Sequence, residues 1–94
     1  MSDRKMIEIR LHPNLSELIG SPGKISVGGE TPRDCLMAAV VQYSALGKIL
    51  WRPHNQINQA VLLFLNDEHI HETDLERKLK PGDQIDIIPA IVGG

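Results

Sequence analysis

The chain has 94 residues, a formal net charge of −2 and 3% aromatic residues. That is enough for one modest core, but it lacks the basic footprint and the stacking rings of a nucleic-acid binder. No apolar run approaches the length of a membrane span, Met1-Ser2-Asp3-Arg4-Lys5 carries no apolar signal-peptide stretch, and the lone Cys35 excludes an internal disulfide framework, so one domain over residues 1–94 in a reducing, cytoplasmic setting is expected.

Met6-Ile7-Glu8-Ile9-Arg10-Leu11 alternates, with Ile7, Ile9 and Leu11 on an inward face, and predicts a first strand. Residues 15–20 leave a short helical turn and a loop both open, and Ser21-Pro22-Gly23 is a turn signal. Lys24-Ile25-Ser26-Val27 alternates again and should pair with the first strand as a hairpin. Thr31-Pro32-Arg33-Asp34 is the clearest helix start: a capping hydroxyl, a proline for the first position and an acid for the dipole. Leu36, Ala39, Val40, Tyr43 and Leu46 then give one apolar stripe, and Gly47 reads as a stop, so a helix is predicted over residues 32–46.

Residues 48–58, around Trp51 and Pro53, lack a period and read as a long connection. Residues 59–65 form an unbroken apolar strand, Asn66-Asp67 a turn, residues 68–71 a short strand, and residues 75–79 one tight helical turn. Pro81-Gly82 suits the centre of a type II turn. It opens a last strand in which Ile85 and Ile87 share one face and Gln84, Asp86 and Ile88 the other, ending at Pro89, which cannot donate to a ladder. The last strand should lie beside the first and parallel to it.

After Pro89 the sequence runs Ala90-Ile91-Val92-Gly93-Gly94. A Gly-Gly ending arises by chance in roughly one chain in two hundred at average glycine usage, so its weight comes from the strand and the rigid proline that deliver it. Residues 89–94 read as a flexible arm able to enter a narrow cleft, with glycines that let a partner's backbone come close.

With Phe64-Leu65-Asn66-Asp67-Glu68, Leu79, Gly82-Asp83 and Ile87-Ile88-Pro89-Ala90-Ile91-Val92-Gly93-Gly94, the chain resembles the ubiquitin-like β-grasp sulfur carriers. These include the small subunit of molybdopterin synthase, the thiamine-pathway carrier and the carrier of a thiocarboxylate route to cysteine. The tail and the extended loop before Ala60 look most like the last. The resemblance implies an α+β β-grasp fold, a mixed four- to five-stranded sheet with one main helix on one face. It implies a carrier rather than an enzyme. An activating partner would adenylate the Gly94 carboxylate with ATP and Mg²⁺, a sulfur donor would convert it to a thiocarboxylate, and Gly93 would allow threading into the cleft. The acceptor would lie in cysteine, molybdopterin, thiamine or related biosynthesis. A protein modifier conjugated through Gly94 and a stand-alone binding module remain as alternatives. The apolar tail, where ubiquitin carries basic residues, favours the carrier.

If Leu63, Leu65, Ile85 and Ile87 face the helix, Leu62, Phe64 and Ile88 face the open side of the sheet and mark a partner surface. Pro89, Ala90, Ile91 and Val92 would continue that contact along the tail. The competing reading is that the connection at residues 48–58 folds over them. Cys35 reads as a core thiol, with no basic partner beside it in sequence. His69 and His71 share a strand face, yet two ligands do not make a metal site. His12 and His54 fall in loops. Asp67, Glu68, Asp83 and Asp86 read as turn and strand-face charges, and Arg77, Lys78 and Lys80 as a small solvated basic patch. No phosphate-loop or nucleophile-elbow pattern occurs.

Overall fold

Residues 6–90 of the chain are described in a computed structural model. The period-2 segments build a mixed five-stranded sheet in the order β2-β1-β7-β5-β6. Its strands are β1 (Met6–Leu11), β2 (Lys24–Gly28), β5 (Val61–Leu65), β6 (Glu68–Ile70) and β7 (Gln84–Pro89). β7 lies at the centre, parallel to β1 with Ile9 beside Ile85, and antiparallel to β5 with Leu63 opposite Ile87. Ile7, Ile9, Ile85 and Ile87 are fully buried on one face, as alternation requires.

The principal helix α2 starts where expected. Thr31 Oγ1 accepts from the Asp34 N–H at 3.2 Å, and Pro32 occupies the first turn, a cap worth about 1 kcal/mol. Cys35, Leu36 and Ala39 are buried against the sheet, so Cys35 is a core thiol. The predicted end of this helix is corrected. α2 covers Pro32–Gln42 and is followed by a separate helix, α3 (Ala45–Leu50), which buries Leu46 and Leu50. The chain leaves helical geometry at Tyr43, with φ −132° and ψ 86°. Gly47 is therefore not a stop. It sits inside α3, where a Cβ would lie 3.1 Å from Val40 Cγ1 of α2. Its missing side chain lets two successive helices touch.

Residues 13–19 resolve as a short helix, α1 (Pro13–Ile19). It closes in a Schellman arrangement, with Gly20 at φ 69° and the N–H of Ser21 bonded to the Ser16 carbonyl at 2.9 Å.

The connection at residues 48–58 is also corrected. It holds a small hairpin of β3 (Trp51–Arg52) and β4 (Gln56–Ile57) around a 3₁₀ turn, Pro53–Asn55. Trp51 and Ile57 pack on the core. The Arg33 guanidinium of α2 lies 5.7 Å from the Trp51 ring centre, and the Ile57 N–H donates to Glu72 Oε2 at 3.3 Å. The hairpin is thereby held against α2 and the segment after β6, and its end at Ile57 borders a cleft shared with Leu62 and His69. The helical turn expected at residues 75–79 forms upstream, as a 3₁₀ turn at Glu72–Asp74. Asp74 Oδ2 there accepts from the His71 N–H at 2.9 Å. Leu75 and Leu79 are buried in the turn that follows.

The two tight turns carry the expected chemistry. Asn66 and Asp67, at φ 49° and 72°, make the two-residue loop of the β5–β6 hairpin, matching a type I′ turn. Gly82 has φ +88° and the Asp83 N–H bonds the Lys80 carbonyl at 3.0 Å, as a type II turn demands. Asn66 joins the two. Its Nδ2 donates to Asp83 Oδ1 at 2.9 Å and its Oδ1 accepts from the Gln84 N–H at 3.0 Å. Asp67, Glu68 and Asp83 thus sit in turn and hairpin architecture, not in a catalytic pair.

Candidate functional site

The sheet face opposite the helices is laid out by register. Across it run Lys24, Arg10, Asp86, Phe64 and His69, from β2 through β1, β7 and β5 to β6. In the neighbouring row Ile88 stands opposite Leu62. Leu62, Phe64 and Ile88 are therefore contiguous, as the sequence indicated, and all three are half-buried. They gain that shelter from one another and from the flanking rings. Phe64 and His69 have centroids 5.3 Å apart, and His69 and His71 lie 4.3 Å apart.

The way off this face leads to the C-terminus. Pro89 stands opposite Val61 as the last residue of β7, and the Ala90 N–H still donates to the Ala60 carbonyl at 2.8 Å. The boundary drawn at residue 89 is thus too early, because Pro89 and Ala90 remain attached to the sheet. Ile91, Val92, Gly93 and Gly94 lie outside the described residues.

Three polar residues of this region carried no functional signal in the sequence. His12 caps α1, its Nδ1 accepting from the Asn14 N–H at 3.1 Å, and its own N–H bonds the Ile87 carbonyl at 3.0 Å. Arg10 Nε donates to Glu8 Oε2 at 2.8 Å. This bond lowers the Glu8 carboxyl below its usual range and raises the Arg10 guanidinium. Asp86 is the third: its Oδ1 is closed to solvent and meets no donor. Strand alternation placed Asp86 on the open face, but only the cross-strand register shows that Arg10 and Phe64 flank it. A shallow depression of about 160 Å³ opens beside it, lined by Arg10, Leu11, His12, Asp86, Ile87 and Ile88.

A cleft of about 410 Å³ lies between the β3–β4 hairpin and the end of β6, with His71 and Glu72 on its rim. Among the described residues no group of three histidine, cysteine or carboxylate side chains is placed to hold a metal ion. Arg77 of the small basic patch is paired with Glu68 and Asp74 at 3.5 and 3.8 Å. No helix among the described residues is long and apolar enough to cross a membrane.

The fold and the face settle the kind of molecule once a family comparison is added, for the ThiS family model matches residues 14–94. The chain belongs to the ThiS family. Its ubiquitin-like sheet agrees with that membership. The solution structure of small archaeal modifier protein 1 from Methanosarcina acetivorans is similar, with a TM-score of 0.82 at 25% identity, covering 99% of this chain and 100% of that one. CysO in the BexX/CysO complex from Amycolatopsis orientalis has a TM-score of 0.81 at 20% identity, over 94% of this chain and 99% of that one. Mycobacterium tuberculosis CysO has a TM-score of 0.77 at 22% identity, over 90% and 99%. No curated protein matches the chain. The ThiS family is one of small ubiquitin-like carrier proteins.

Proposed function

We propose that this ThiS-family chain carries sulfur as a thiocarboxylate on Gly94. The observation supporting the reading is the position of the apolar face. Ile88 belongs to that face and to β7, the strand whose continuation leads past Ala90 toward Gly93-Gly94. A partner seated on Leu62, Phe64 and Ile88 therefore holds the strand that runs, two residues later, into Ala90 and the last four residues of the sequence. An adenylating enzyme would use Mg²⁺-bound ATP, placing AMP on the carboxylate and releasing pyrophosphate. Sulfide then attacks the acyl carbon and displaces AMP, leaving the thiocarboxylate, because AMP is a good leaving group where the oxide or hydroxide of a free carboxyl is not. Pro89, Ala90, Ile91 and Val92 would line the approach to the partner's cleft, with Gly93 allowing close backbone contact. Intact mass spectrometry of the protein from its native cells tests this directly. A species about 16 Da heavier than the sequence mass is expected, from one oxygen replaced by sulfur in a group-carrier cycle.

A second reading, conjugation of Gly94 to target amines, is favoured by the likeness to small archaeal modifier protein 1. It predicts instead covalent adducts of protein mass. Either reading needs the docking face, and Phe64→Asp tests that. Phe64 is half-buried on the outer side of β5, so the variant should keep its melting temperature within a few degrees. It should weaken binding to the activating enzyme by about 30-fold or more, as expected for loss of an apolar anchor. Global unfolding of the variant would place Phe64 in the core and shift the strand register by one.

A further inference from the structure

We propose that Asp86 is the polar specificity contact of the docking face, and that the partner surface seated on Leu62, Phe64 and Ile88 presents an arginine or lysine side chain to its carboxylate. The inference rests on the docking reading above and names the chemistry of the partner that this face fits.

Three observations converge. Buried side-chain oxygens nearly always have a donor, yet Asp86 Oδ1 is closed to solvent and has none. Arg10, aligned beside it in the sheet, gives its Nε–H to Glu8 at 2.8 Å, and its charge attracts the Asp86 carboxylate without a hydrogen bond to Oδ1. Second, Asp86 is inside the patch and not at its margin. It stands directly opposite Phe64 and two residues before Ile88 on the same strand. A partner that covered this patch with apolar groups alone would strip water from a carboxylate that has one oxygen without a donor, a cost that offsets part of the gain from the surrounding hydrophobic contact. Third, the depression of about 160 Å³ reaches the same side chain between Arg10, His12 and Ile88. A cationic head entering it would lie beside the carboxylate, which a rotation of the Asp86 side chain would turn toward it, while the stem of the cationic side chain lies on Ile88.

The arrangement also discriminates. A partner placing an acid or a bare apolar surface here is penalised, so one residue selects among surfaces that would all accept Leu62, Phe64 and Ile88. The residue costs the free protein stability, since an apolar side chain at position 86 would complete the patch and remove an unsatisfied oxygen.

The test uses the full-length chain and the adenylating enzyme of the same cells, defined as the enzyme whose ATP–pyrophosphate exchange depends on this chain. Asp86→Leu and Asp86→Asn are compared with Phe64→Asp by titration calorimetry and thermal melts. The expected result is that Asp86→Leu melts at or above the parent temperature yet binds about 10- to 100-fold more weakly, the range for a lost hydrogen bond to a charged group. Asp86→Asn, which keeps the shape and loses the charge, should fall between, and salt should weaken the parent complex more than either variant. Two results overturn the proposal. One is Asp86→Leu binding within threefold of the parent while Phe64→Asp binds poorly, which leaves the docking face standing and removes Asp86 from it. The other is a melting temperature lowered by several degrees in both Asp86 variants, which would show the carboxylate satisfied within the chain. If Phe64→Asp also binds normally, the docking reading itself fails.

Discussion

Deleting Gly94 should cut ATP–pyrophosphate exchange with the activating enzyme by at least about 100-fold, with the melting temperature unchanged. Loss of one residue draws the carboxylate back by about 3.5 Å, and misplacement of a reacting group by 1 Å already costs about 100-fold. Gly94 has no side chain to bury, and among the described residues the buried apolar side chains run from Ile7 to Ile87. Gly93→Val should be nearly as damaging, since a β-branched side chain restricts the arm and stands off a partner's backbone. Exchange that continues undiminished without Gly94 would remove the carboxylate from the chemistry, and a binding module would be the reading left.

The largest loss of stability should come from the strand that supports this arm. Ile85 is fully buried in β7, with Ile9 beside it on β1 and Leu65 opposite on β5. Ile85→Ala removes three carbons from the middle of the sheet's inner face and leaves a cavity between two strands and α2. The expected cost is about 2–5 kcal/mol, out of a total of about 5–15 kcal/mol for a domain of this kind. At this chain length each kcal/mol lowers the melting point by about 4–8 °C, so calorimetry should show a fall of 10 °C or more, with a matching drop in the urea midpoint. A loss below about 1 kcal/mol would mean that β7 does not pack as described. The contrast with Phe64→Asp is the informative part. Two apolar residues on neighbouring strands, pointing to opposite faces, should separate cleanly into one that holds the fold and one that holds a partner.

That separation was legible in the residues. Alternation in Met6–Leu11 and Gln84–Pro89, the Thr31-Pro32 helix start, the Asn66-Asp67 turn and the Pro81-Gly82 turn all formed as read. Each rests on physics that acts within a few residues: side-chain period, a capping oxygen, a φ that favours glycine or asparagine. The parallel placement of β7 beside β1 followed from element order, and it brought Leu62, Phe64 and Ile88 together as expected. What required tertiary structure involved partners distant in sequence or a close approach that no local pattern records. The apolar stripe through Leu46 could not reveal that the chain breaks at Tyr43, because Leu46 is buried from a second helix as well as it would be from the first. Gly47 looked like a terminus and proved to be a contact with Val40. The aperiodic stretch around Trp51 became a hairpin because Arg33 and Glu72, both far from it in the chain, hold it. Asp86 reads in the sequence as a strand-face charge, since alternation assigns a face but not the neighbours on it. Only the register of β1, β7 and β5 sets its carboxylate between Arg10 and Phe64, with one oxygen lacking a donor.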